Sequence, residues 1–288
     1  MKNCCAALAV VTLMCSPAAA QDAQAVIANA SKAMGEDALK TVEYSATGFD
    51  FALGQNYNST APWPKFINKS YTRAIDFQIP ASRVARIRTQ GEFPQRGGGA
   101  QPLRGEQPQN QTIIVDAGTP WVQQLEIWMM PHGFLKAART NNATAKSQTT
   151  GGRTLHVVTF MGKGGTPVVG YINDQNLVER VETRIDNAVL GDMLFEALYS
   201  DYRDFSGVKF PMKIVQKQGG HPIFDLTVGD VKVNMPVTIT APPPRGGGPA
   251  GGVAAAAEGT PSEKLADGCS SFLAAMRAWL STSRITSC

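Results

Sequence analysis

Tyr199-Ser200-Asp201-Tyr202-Arg203-Asp204-Phe205-Ser206-Gly207-Val208-Lys209-Phe210-Pro211 reads as two β-strands folded back on each other. Strands are predicted over 193–204 and 209–216, and Ser206-Gly207 supplies the tight turn between them. Pro211 has no N–H to give to a ladder, so it places the second strand at an edge or a bend. The same rhythm continues in both directions. Toward the N-terminus, Val42, Tyr44 and Ala46, then Phe49, Phe51 and Leu53, alternate with small or polar residues. Strands are predicted over 71–79, 84–89, 112–115, 121–128, 154–160, 168–173, 177–185 and 223–233. Gly-Gly at 151–152, Asn173-Asp174 and Gly219-Gly220 mark further turns. Many short strands joined by tight turns imply an antiparallel meander.

Two segments break the period of two. Val26, Ile27, Ala30, Met34 and Leu39 recur at helical spacing. They predict one amphipathic helix with Asp22 as N-cap, ending near Gly35. Residues 131–141 predict a short second helix opened by Pro131. The expected architecture is therefore mainly β (α+β): a curved antiparallel sheet, or half-barrel, packed on a long N-terminal helix and a short second one. Residues 91–110 are rich in Gly, Pro and Gln without periodicity and predict a lid or a disordered loop. Residues 241–261 are a Pro/Gly/Ala tract too poor in large apolar side chains to fold, as in a linker.

Lys2, an apolar run over 6–14 and Ala18-Ala19-Ala20 have the layout of a secretory signal peptide with cleavage near Ala20. The expected location is then periplasmic or secreted. Such cleavage removes Cys4, Cys5 and Cys15 and leaves Cys269 and Cys288. The body between 21 and 234 contains no cysteine, so it has no thiolate for catalysis and must rely on its apolar core.

The remaining composition excludes several classes. The chain has 288 residues, 27 Lys+Arg against 23 Asp+Glu, and a net charge of +4. This charge is small and spread out, unlike the basic stripe of a nucleic-acid binder. With 43% hydrophobic and 17% charged residues and a mean hydropathy of −0.13, the chain is not wholly disordered. No apolar run is long enough to span a bilayer. The three histidines, His132, His156 and His221, form no H-x-H or H-E-x-x-H pair. There is no G-x-S-x-G elbow. Gly162-Lys163-Gly164-Gly165-Thr166 lacks phosphate-loop spacing and reads as a hairpin turn. Glu179 and Glu182 lie an odd number apart on one predicted strand, which suits solvated charges better than a catalytic pair. No catalytic residues and no metal ligands are expected. What the body offers is apolar surface: Trp63, Phe66, Trp121, Trp128, Met130 and Phe134. In a cavity between a curved sheet and its helices, such residues suit an acyl chain or other hydrophobic ligand. For each of them taken singly, plain core packing is the stronger reading.

One amphipathic helix, a long meander, the 199–211 hairpin and the ending Val231-Lys232-Val233-Asn234 resemble the half-barrel domains of the periplasmic lipoprotein-carrier class over residues 21–234. The arrangement also resembles the N-terminal region of exported metallo-β-lactamase-fold hydrolases. There, a sheet domain carrying Trp128 and Pro131-His132-Gly133-Phe134-Leu135-Lys136-Ala137-Ala138 precedes a linker, and the hydrolase opens at a segment like Lys264-Leu265-Ala266-Asp267-Gly268. The resemblance implies a leader over 1–20, a lipoprotein-carrier-like antiparallel β domain over 21–240, a linker over 241–261 and a truncated start of the hydrolase over 262–288. No H-x-H-x-D-H follows, so zinc is expected only for the missing catalytic domain, and no cofactor for this chain. Read one nucleotide out of frame, allowed codons for residues 269–288 can spell VFILLGGYAGLAVDFKDYIV, two apolar strands with a turn. The tail is therefore expected to be non-native, after a frameshift past Gly268. The alternative is a genuine helix over 272–280 with Cys269 and Cys288 free to pair. Two functions follow: a non-catalytic accessory domain of a zinc hydrolase, or a stand-alone carrier of a lipid or other hydrophobic ligand.

Overall fold

The structure, a computed structural model, describes residues 18–53, 63–91, 107–116, 118–150, 152–163, 165–187 and 191–239, and three short strands beyond them. The chain is mainly β, as the sequence predicts. Eleven antiparallel strands form one open sheet in the order β4-β3-β2-β1-β11-β10-β9-β8-β7-β6-β5. They are β1 (Thr41–Phe51), β2 (Lys65–Asp76), β3 (Ala81–Gln90), β4 (Gln109–Val115), β5 (Thr144–Thr150), β6 (Arg153–Met161), β7 (Pro167–Ile172), β8 (Val178–Asn187), β9 (Gly191–Phe205), β10 (Val208–Gln218) and β11 (His221–Val233). Pairing of β1 with β11 joins the first strand to the last and makes two consecutive runs into one sheet. Among the described residues, three α-helices accompany it: α1 (Ala18–Met34), α2 (Trp121–Trp128) and α3 (Pro131–Thr140).

The turns behave as their residues require. Ser206 and Gly207 both have positive φ, 55° and 86°, and Phe205 pairs with Val208 across this two-residue turn. Pro211 pairs with Tyr202 of β9, whereas the β10–β11 ladder begins only at Lys213. The proline therefore sits where β10 has a single neighbour, and its missing N–H leaves no gap in a ladder. Gly162 N–H donates to the Thr166 carbonyl at 2.9 Å, so this segment is a hairpin turn.

Helix α1 buries Ala23, Ile27, Ala30 and Met34 along one stripe. It stops at Gly35, which adopts φ 66°, the left-handed conformation that ends helices. It starts at Ala18, so Asp22 lies inside it and is not its N-cap. The 3₁₀ turn that follows, Glu36–Ala38, carries a buried carboxylate. Glu36 ion-pairs with Lys136 at 2.7 Å and Arg139 at 2.5 Å, both on α3. Arg139 also reaches Asp37 at 2.7 Å and Ser31 Oγ at 2.9 Å. Charge thus fixes α3 to the end of α1. Glu36→Gln strands two cations beside a buried amide. Both cations reach solvent and Asp37 still holds one, so the expected loss is about 2 kcal/mol, below the range for a fully buried pair. Urea unfolding of the variant checks it.

One predicted element differs, and one strand was not predicted. Residues 121–128 form a helix, not a strand: Trp121, Leu125 and Trp128 fall on one helical face against the core. Their spacing also alternates loosely, and packing selects the helical period. Residues 144–150 form edge strand β5, whose polar composition carries no apolar alternation.

Helix α2 shows how far the sheet curves. Glu126 of α2 pairs with Arg73 of β2 at 2.5 Å. At its other end, a Cβ added at Gly162 in the β6–β7 turn would meet the Trp121 ring at 2.8 Å. One short helix therefore reaches two strands that lie far apart in the sheet order. The far end of the Phe134 ring comes so close to β7 that a Cβ at Gly170 would meet its Cζ at 2.1 Å. Gly133 similarly lets α3 approach the Ile127 carbonyl.

Residues 241–288 form a separate unit. Within it, β12 (Ser262–Ala266), β13 (Cys269–Phe272) and β14 (Ile285–Ser287) make a small antiparallel sheet. Phe272 is in a strand. The rest of the alternative helix over 272–280, the leader before Ala18, most of the predicted 91–110 loop and the 241–261 linker lie outside the described residues.

Candidate functional site: the inner face of the half-barrel

Register decides which side chains share the inner face, because directly opposed residues point the same way. On β1 that face carries Val42, Tyr44, Ala46, Gly48 and Asp50, opposite Ile75, Arg73, Tyr71, Asn68 and Phe66 of β2. A bulge between Ala46 and Gly48, opposite Lys69-Ser70 of β2, keeps the two strands in phase past Lys69. From β2 the face continues to Ser82, Val84, Arg86, Arg88 and Gln90 of β3. In the other direction it runs through Phe224, Leu226 and Val228 of β11 to Ile214 and Gln216 of β10 and Tyr199, Ala197 and Phe195 of β9.

This face has two halves. Under the helices it is closed core: Tyr44, Phe134, Leu135, Phe160, Tyr199 and Phe210 are buried. Tyr199 donates from its hydroxyl to the Met129 carbonyl at 2.6 Å, at the corner between α2 and α3. Arg73 is buried here, with its pKa raised above the ordinary value by the Glu126 carboxylate against the opposing effect of burial. Toward the end where β1 joins β2 and β3 joins β4, Phe195 and Phe224 remain partly exposed against the core, as do Trp121 and Trp128. The Trp128 indole N–H is buried without an acceptor.

The six sequence-predicted ligand residues fall into three places. Met130 and Phe134 are within the core, and Phe134 packs on Phe160 with ring centres 5.6 Å apart. Trp121 and Trp128, both on α2, pack on that core and remain partly exposed. Phe66 lies under the Arg88 guanidinium at 4.1 Å, and Trp63 stands against His221 at 4.7 Å. The helix period of α2 puts the two tryptophans on one helical face, two turns apart; Trp63 and Phe66 belong to the β1–β3 corner.

Sequence reasoning missed a polar group on the same face. Asp50 accepts hydrogen bonds from Asn68 Nδ2 at 3.0 Å and from Arg88. Arg86 lies 3.5 Å from the same carboxylate oxygen as Arg88, and its Nε donates to Gln111 Oε1 at 2.8 Å. Burial holds the Arg86 pKa below its ordinary value, with Arg88 adding to the effect and Asp50 opposing it. The signal was present: in Val84-Ala85-Arg86-Ile87-Arg88 the arginines keep the phase of an inward valine. Likewise β1 keeps the phase of Val42 to its end, so Asp50 faces inward between Phe49 and Phe51.

The histidines sit on different elements. His132 is buried in α3, His156 meets Ser147 Oγ at 3.1 Å on β5–β6, and His221 is exposed at the β10–β11 turn. Glu179 binds Arg153 and Asn173, whereas Glu182 accepts from the Tyr171 hydroxyl at 2.7 Å. Among the described residues, no group of three or more His, Cys, Asp or Glu could hold a metal ion, and no helix is long and apolar enough to cross a membrane.

No protein-family model and no curated protein matches this sequence. Among solved structures, the chain is similar to a LolA superfamily protein from Nitrosomonas europaea, with 13% identity and a TM-score of 0.42 over 74% of this chain and 94% of that one. It is also similar to a DUF1329 family protein from Desulfovibrio piger, with 7% identity and a TM-score of 0.40 over 75% and 95%. A third is described as an outer membrane lipoprotein-sorting protein domain from Vibrio parahaemolyticus, with 7% identity and a TM-score of 0.38 over the same shares, 75% and 95%. These comparisons do not bear on the metallo-β-lactamase resemblance.

Proposed function

We propose that this chain is an exported binding protein that carries a lipid or other acyl-chain ligand on the inner face of its half-barrel. One observation supports this reading above the others. Phe195 and Phe224 remain partly exposed on the inner face of the sheet, as do Trp121 and Trp128 on α2, while the rest of the core they pack against is buried. Apolar area left beside a finished core suits a ligand that completes it, and a concave face lined by aromatic groups with a few polar atoms is the usual form of such sites. The unpartnered Trp128 indole N–H offers one donor for orienting the ligand. The reading includes cleavage near Ala20 and a periplasmic or secreted location.

The expected result is that the purified chain, gently extracted and examined by native mass spectrometry, carries lipid. Delipidated protein should bind alkyl probes with affinity that rises with chain length, and Trp128→Ala should weaken that binding severalfold. A lipid-free protein that binds no alkyl probe removes the reading. The accessory-domain alternative supposes a missing zinc-hydrolase partner. It predicts that the genomic DNA downstream of codon 268 encodes H-x-H-x-D-H in a shifted frame.

A further inference from the structure

We propose that Arg86 and Arg88 receive the anionic headgroup, a carboxylate or phosphate, of an amphiphile whose chain lies on the neighbouring aromatic surface. This rests on the carrier reading and specifies its ligand. The argument begins with charge. Two guanidiniums share one oxygen of one carboxylate, Asp50, whose other oxygen is taken by Asn68. Among the described residues, neither arginine has another ion-pair partner. Among the described residues, the cluster thus carries one positive charge in excess.

That charge is not at a free surface. The Arg86 and Arg88 side chains are only 11% and 14% exposed, and Asp50 is 7% exposed. Arg88 Nε is buried with no acceptor. An unmatched charge and an unsatisfied donor in such a place are costly to keep and are relieved by an anion. The guanidinium fork fits carboxylate and phosphate oxygens in pairs.

The surroundings fix the rest of the ligand. Arg88 lies over Phe66 at 4.1 Å and Arg86 lies 5.8 Å from Phe224. Phe224 is directly opposite Asp50 in the β1–β11 ladder and opposite Gln216 in the next, from which the face runs on to Ala197. A headgroup on the arginines would therefore have the partly exposed Phe224 ring beside it, with Phe66 buried beneath Arg88. An amphiphile fits both halves; a free anion would use only one.

The test compares binding of dodecanoate, dodecyl phosphate and dodecanol to the full chain. The two anions are expected to bind at least about tenfold more tightly than the alcohol, and added salt should narrow the gap. Arg86→Gln should lose most of that preference while leaving dodecanol affinity within about twofold. Arg88→Lys, which keeps the charge and loses the fork, should retain part of it. An unchanged urea midpoint for each variant verifies folding. If dodecanol binds as tightly as the anions, or if Arg86→Gln weakens all three equally, the headgroup assignment is wrong although the carrier reading stands. Inorganic phosphate binding as tightly as dodecyl phosphate also overturns it, in favour of a free-anion site. If none of the alkyl probes binds, the carrier reading itself fails, and this inference with it.

Discussion

Phe134→Ala is expected to lower the free energy of unfolding by about 3–5 kcal/mol, the range for deleting a fully buried aromatic ring. Phe134 is completely buried, packs on Phe160 and rests on the bare backbone at Gly170. Neighbours on β6, β7 and α3 are held by their own ladders and ion pairs and cannot collapse into the space, so most of the cavity persists. The measurement also separates two roles for one residue. A ring that lines an empty ligand site contributes little to stability and much to affinity; a ring that plugs the core does the reverse. Urea unfolding and alkyl-probe binding, measured on the same variant, give both numbers. A loss under about 1 kcal/mol together with loss of binding would move Phe134 from the core to the ligand wall.

Acid should destabilise the protein through His132. The imidazole is buried in α3, stacked on Phe210 at 6.1 Å, and neither ring nitrogen makes a hydrogen bond of good geometry. Burial lowers its pKa to about 4, Lys136 adds to the effect, and the carbonyls of Met34 and Lys209 oppose it. The folded state thus binds the proton more weakly than the unfolded chain, whose histidine titrates near its ordinary value. Stability from neutral His132 is complete above about pH 6.5, falls as the pH drops, and is lost by about pH 4. At about 1.4 kcal/mol per pH unit, the difference is about 3 kcal/mol. Because carboxylates also titrate in this window, the test compares wild type with His132→Leu. Unfolding free energies at pH 7 and pH 4 should diverge by this amount less in the variant. Parallel pH profiles for the two proteins would show that His132 is not the acid-sensitive group.

The residues that sequence reading placed well are those whose neighbours are close in the chain. The stripe of α1, its stop at Gly35 and the Ser206-Gly207 and Gly219-Gly220 hairpins depend on spacing and backbone conformation within a few residues. The failures have a common cause. The 121–128 segment fits two periods, and only the core beneath Trp121, Leu125 and Trp128 selects the helix. Strand β5 has no apolar period because it lies at an edge.

The candidate site was only half legible for the same reason. Trp121 and Trp128 stand out by residue type, and so did Phe134, which the fold then buried as core. Asp50, Arg86 and Arg88 looked like ordinary charges on separate strands. They meet because β1, β2 and β3 pair in one register, and because the bulge at Lys69 keeps Asn68 and Phe66 on the same side as Arg73. The sequence by itself determined most element types, most turns and the all-antiparallel class, since these follow from local backbone preference and alternating polarity. The tertiary structure alone decided the closure of β1 on β11, the curvature spanned by α2 and which charges face inward, because each depends on pairing between residues that are distant along the chain.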